Sequence, residues 1–156
     1  MKKMALRFLF PILLLVLSCK DTTQNGNPVP YVSVSVNINT NNPLYNDLNR
    51  EGGFVMVDNV GYKGIIVIHD FSDNFWAFDR TCTYHTNSSC GKVIMSSTGL
   101  NMVCGTYNGK NLDACCASAY NLDGTVSHGP ATYALRRYGV NVTGDNVGGY
   151  ILTITN

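Results

Sequence analysis

Val32, Val34, Val36 and Ile38 alternate with Ser33, Ser35 and Asn37. Successive side chains of a strand point to opposite faces, so this period of two predicts a half-buried strand. Residues 54–57 form a short apolar run, and residues 64–68, Gly-Ile-Ile-Val-Ile, read as a more deeply buried strand. A polar turn at 70–74 returns the chain through 75–78 as the second half of a hairpin. Weaker strand candidates at 93–95 and 100–103 flank Ser96-Ser97-Thr98-Gly99. Asn108-Gly109 and Asp123-Gly124 are turn dipeptides, and 138–142 with 149–154 predict a closing hairpin. No segment carries the 3.6-residue period of a three-turn amphipathic helix; residues 46–50 suit a single turn. No internal repeat is present. The expected class is all-β.

The first segment follows a different rule. Lys2, Lys3 and Arg7 precede an apolar stretch at 8–17, too short for a comfortable membrane span and of signal-peptide length. Ser18-Cys19 closes it in the manner of a bacterial lipobox. The expected organisation is a lipoprotein signal peptide over 1–18, a lipidated Cys19 heading a polar tether to residue 30, and one β domain over 31–156. Several acyl chains, each CH₂ contributing ~0.8 kcal/mol, would anchor the protein stably. The expected location is a bacterial membrane, the outer membrane by preference, with the domain facing periplasm or exterior. The first partner is then the lipid bilayer itself.

Charge changes this picture little. Charged residues make up 13% of the chain and the formal net charge is +1, without a basic run that would favour nucleic acid. No protein partner can be named from the sequence. Cysteine changes it more. Of six cysteines, five lie beyond Cys19: Cys82, Cys90, Cys104, Cys115 and Cys116. Export favours disulfides, and an odd number leaves at least one thiol over.

The order of features from about residue 54 to 154 resembles the Rieske iron–sulfur family. The carriers are Ala77-Phe78-Asp79-Arg80-Thr81-Cys82 at the end of a hairpin, a second cysteine-bearing segment at 115–118, then Tyr120, Asp123-Gly124 and Gly129-Pro130-Ala131 before Leu135 and the closing hairpin. The resemblance implies a fold of antiparallel sheets with two ligand loops facing each other. A Rieske centre binds one iron through two cysteines and the other through two histidines. Against that pattern Cys82 stands at the first cysteine and Tyr84 at the first histidine, with His85 one residue later. Asp113 stands at the second cysteine and Cys116 at the second histidine. Cys115 falls on the family's bracing cysteine, whose counterpart is Cys90. The resemblance therefore implies a Cys90–Cys115 disulfide, closing a loop worth about 3.5 kcal/mol in the chain-entropy model.

Three readings of the remaining residues follow. In the preferred one no cofactor is bound, Cys82 pairs with Cys116 in a second disulfide, and Cys104, beside Leu100, Met102 and Val103, stays a buried free thiol. In the second, Cys82, His85, Cys116 and Asp113 supply a variant [2Fe-2S] centre for electron transfer, although carboxylate is a hard ligand for such a cluster. In the third, Cys82, His85, Cys115 and Cys116 hold one zinc ion. His69, His128 and Trp76 are read as structural, the glycine pairs lack a following helix for phosphate binding, and no Ser–His–Asp order stands out. The expected role is non-catalytic: an accessory or binding module.

Overall fold

The computed structural model describes residues 26–156. The expected signal peptide, Cys19 and the tether up to residue 25 lie outside the described residues. The domain is all-β, as expected. Its ten strands are β1 (Ser35–Asn39), β2 (Phe54–Val57), β3 (Ile65–His69), β4 (Phe75–Asp79), β5 (Val93–Met95), β6 (Met102–Asn108), β7 (Asn111–Tyr120), β8 (Val126–His128), β9 (Arg137–Gly144) and β10 (Tyr150–Thr155). One turn of 3-10 helix, Asn46–Asn49, lies between β1 and β2.

All pairings are antiparallel, in a six-stranded sheet of order β1-β10-β9-β4-β3-β2 and a four-stranded sheet of order β5-β6-β7-β8. The apolar run of β3 has a simple cause. Ile66 and Ile68 face a core shared with Phe78, Met95, Met102 and Tyr120, whereas Ile65 and Val67 face a second core with Ile38, Tyr138, Leu152 and Ile154. A strand buried on both faces needs no polar alternation. Each such side chain contributes about 1.5–3 kcal/mol by leaving water.

β1 adds an edge to the larger sheet beside β10. It is shorter than the sequence pattern at its start, because the side chain of Asn156 takes over the ladder there. Val34 N–H donates to Asn156 Oδ1 at 2.5 Å and Asn156 Nδ2 donates to Val32 O at 3.1 Å. The end of the expected tether is docked rather than solvated. Val29 is buried, its carbonyl accepts from Arg136 Nε at 3.1 Å, and Asn27 Nδ2 donates to Ala134 O at 3.0 Å. One apolar residue among polar neighbours gives too little signal for this.

A larger difference concerns residues 104–120. β6 runs on to Asn108 and β7 occupies Asn111–Tyr120, where the resemblance implies a loop. The far part of this hairpin, around Gly109-Lys110, extends past the core. Thr106, Asn108, Asn111, Leu112 and Asp113 are exposed there, so no buried face imposes a period of two.

A three-thiol centre as the candidate functional site

Cys82 leaves β4 through Arg80-Thr81, and the segment it opens is closed at both ends. Thr81 bridges Lys92, Cys82 N–H donates to Gly91 O at 3.0 Å, and Lys63 Nζ reaches the carbonyls of Ser88 at 2.5 Å and Gly91 at 3.2 Å. Within this segment the backbone amides of Tyr84 and His85 favour the thiolate form of Cys82.

The partner segment is a bulge in β7. Between the pairs Val103–Ala119 and Gly105–Ala114, Cys104 of β6 alone faces residues 115–118. Excess chain on one strand bends it out of the ladder and re-aims its side chains. The bulge is clasped from outside. Ala131 N–H donates to Ser118 Oγ at 3.1 Å, and Gly129, at φ +93°, lies so close that a Cβ would stand 2.2 Å from Ala117 O. The Gly129-Pro130-Ala131 phrase thus has a physical reason here: only glycine allows that approach.

The expected Cys90–Cys115 disulfide is present and ties the two segments together. Ser88 Oγ lies 3.0 Å from the Cys90 sulfur. Bracing them brings Cys116 over Cys82, with the two sulfurs 3.7 Å apart and not bonded to each other. The expected Cys82–Cys116 disulfide is therefore replaced by two separate thiols. Cys104 is not isolated either. Its sulfur and those of Cys82 and Cys116 all lie within 4.8 Å of one another. Cys82 and Cys104 are buried and Cys116 is half-buried.

Tyr120 forms the floor. Its hydroxyl lies 3.7 Å from the Cys82 sulfur and 3.0 Å from Thr83 Oγ1, and it accepts from Thr83 N–H at 3.2 Å. Thr83 Oγ1 donates onward to Tyr133 O at 2.7 Å. Cys116 Sγ sits 3.2 Å from Ser118 Oγ. The thiols influence each other. Donation from the Cys104 thiol, reinforced by the two backbone amides and Tyr120, holds Cys82 below the ordinary thiol range against the opposing effect of its own burial. The same contact, with burial, pushes Cys104 up. The first ionisation belongs to the pair as a whole. Burial likewise pushes Tyr120 up, so its phenol stays protonated.

Two expected ligands are elsewhere. The three-sulfur group contains no histidine or carboxylate. The His85 ring stacks edge-on against exposed Tyr84, with centroids 4.6 Å apart. Asp113 is exposed in the β6–β7 hairpin, opposite Thr106. Cys115 is consumed by its disulfide, which removes it from the expected zinc set. His69 has both ring nitrogens engaged, by Leu48 O at 2.9 Å and Asp73 Oδ1 at 2.7 Å. Trp76 donates to Asp70 Oδ2 at 2.6 Å, and Arg137 covers its ring at 4.2 Å. Both residues are engaged within the domain.

The donor set does not fit a [2Fe-2S] cluster of the Rieske kind. That centre spreads four ligands over two irons, two of them imidazoles. Here three sulfurs converge on one point. Sequence reasoning missed Cys104 as a member. The one available signal was a cysteine placed on a strand opposite the vicinal pair, and it becomes legible only once the β7 bulge is known.

No protein-family model matches the chain, and no curated protein matches it. Among solved structures it is similar to the crystal structure of the cyanobacterial plasma membrane Rieske protein PetC3 from Synechocystis PCC 6803. The identity is 21%, the match covers 78% of this chain and 98% of that one, and the TM-score is 0.48.

Proposed function

We propose that this chain is a lipid-anchored, extracytoplasmic accessory module with a Rieske-like β domain that carries no standard Rieske cluster. The anchor is Cys19, the domain stands off a bacterial membrane, and its role is binding rather than catalysis. One observation carries the reading: the place where such a domain would hold its cluster is filled by three protein sulfurs within 4.8 Å of one another. The braced segments do structurally what the cluster would do. The Cys90–Cys115 bond and the Tyr120–Thr83 pair tie the two segments to each other, and the Lys63 contacts fix the first of them.

The test is compositional. The protein purified after export is expected to be colourless above about 400 nm, where Fe–S clusters absorb, and to lack stoichiometric iron and acid-labile sulfide. Two irons and two sulfides per chain would overturn the proposal. Labelling with a radioactive fatty acid is expected to mark the wild-type chain and not Cys19→Ser; equal labelling of both would remove the anchor.

A further inference from the structure

We infer that Cys82, Cys104 and Cys116 form a mononuclear binding site for a soft, closed-shell metal ion, Cu(I) by preference. This goes beyond the reading above, which requires only that no diiron cluster is held.

Spacing is the first argument. An ion about 2.3 Å from each of three sulfurs in a plane would space them about 4 Å apart. The observed group is close to that value, with Cys82 and Cys116 at 3.7 Å and all three pairs within 4.8 Å. Little movement is needed to close the sulfurs around one ion.

Coordination number is the second. Zinc in structural sites takes four ligands. No histidine or carboxylate joins the three sulfurs. The described oxygen donors beside the sulfurs are already engaged: Ser118 Oγ, 3.2 Å from Cys116 Sγ, accepts from Ala131 N–H, and the Tyr120 hydroxyl, 3.7 Å from Cys82 Sγ, accepts from Thr83 N–H. Thiolates are soft ligands and select Cu(I) among the ions that do not need a fourth donor.

Charge is the third. Three thiolates on Cu(I) release whatever thiol protons remain to solvent and leave a net charge of minus two in a largely buried place, which is costly unless answered. The chain answers it with a fixed cation. Lys63 Nζ donates to the carbonyls of Ser88 and Gly91, and the Gly91 carbonyl is the same one that accepts from Cys82 N–H, so the ammonium is held beside the first ligand. A merely hydrophobic trio of cysteines would not need it.

The site is also built to persist. Cys82 comes from the end of β4, Cys104 from β6 and Cys116 from the β7 bulge, and the Cys90–Cys115 bond fixes the bulge against the first segment. Pre-positioned ligands lose less conformational freedom on binding.

The experiment is an anaerobic titration of the full chain with Cu(I), in competition with a chromophoric Cu(I) chelator, combined with X-ray absorption at the copper edge. One Cu(I) per chain with three sulfur neighbours is expected. Cys104→Ser is expected to lose more affinity than the 10- to 100-fold that removing an outer-shell partner costs, and to leave at most two sulfurs on copper. Because Cys104 is buried, Cys116→Ser at the half-buried position serves as the second variant, with the same expected loss and with circular dichroism verifying the fold. Lys63→Gln is expected to weaken Cu(I) without changing the number of sulfurs. Cys19→Ser, outside the site, is expected to bind as wild type. The inference is overturned if Cys104→Ser and Cys116→Ser both bind as wild type, if Zn(II) competes on equal terms, or if the purified chain carries a Cys82–Cys116 disulfide. None of those outcomes brings iron and sulfide into the protein, so each leaves the proposed function standing.

Discussion

Single side chains carry much of this account, and Asp79 shows how. It is buried, yet its carboxylate accepts from Tyr62 N–H at 2.6 Å, Thr81 N–H at 3.0 Å, the Thr81 hydroxyl and the Tyr138 hydroxyl at 2.9 Å. A buried acid is tolerated when its lone pairs are answered in this way. Gly61 lets the chain pass beside it: a Cβ there would stand 2.6 Å from Asp79 Oδ2 and 2.7 Å from the Tyr138 hydroxyl, at φ +68°. Gly61→Ala is expected to destabilise the fold by about 1–3 kcal/mol, combining left-handed strain and a displaced hydrogen bond. Urea unfolding measures it, and an unchanged midpoint would contradict the packing described. Tyr138→Phe is expected to cost about 1.5–3 kcal/mol by removing one donor to a charged acceptor.

Asp70 gives the acid limb. Burial at its turn pushes the carboxyl up, but donation from the Trp76 indole and from the Asn74 and Ser72 amides outweighs that and lowers it below the usual carboxylate range. A folded-state pKa below the unfolded one stabilises the fold above about pH 3.9, and that contribution fades as pH falls through the folded value. Unfolding followed by Trp76 fluorescence is expected to show stability declining below about pH 4. Asp70→Asn should flatten that decline.

Elements explain why one segment was legible and the other was not. The hairpin of β3 and β4 showed plainly in the sequence, because its apolar runs meet two cores and its Asp70–Asn74 turn is closed by the Asp70 carboxylate. The last hairpin was legible for the same reason. β7 was not. Its outer half buries nothing, and its inner half is a bulge whose existence depends on pairing with β6. A local pattern cannot report a register shift that a distant strand imposes. By sequence, Cys104 therefore reads as a leftover thiol among apolar neighbours, and Cys82 and Cys116 read either as a disulfide or as ligands of a variant centre. The Cys90–Cys115 bond was legible only through the family resemblance, which puts Cys115 at the bracing cysteine and Cys90 at its counterpart. Its loop, 25 residues in separation, should hold about 3.5 kcal/mol in the chain-entropy model. Cys90→Ser with Cys115→Ser is expected to lose stability of that order in urea, and a loss below about 1 kcal/mol would show that the strands alone hold the bulge.

The described domain is two antiparallel sheets around two cores, with the thiol group lying where the cores' shared strands meet the smaller sheet. Cys82 and Cys104 belong to the same core cluster as Ile66, Phe78, Met102 and Tyr120. The site is thus part of the domain's packing, and loss of a ligand side chain should be felt in stability as well as in binding. The order of its turns and cysteines gives the chain its likeness to a Rieske domain, whereas its function depends on the donor atoms brought together. The most direct measurement is native mass spectrometry of the exported, purified protein. The account predicts the mass of the processed, acylated chain, alone or with one metal ion, and never with two irons and two sulfides. A stoichiometric increment of two irons and two sulfides, lost together on denaturation, would contradict it.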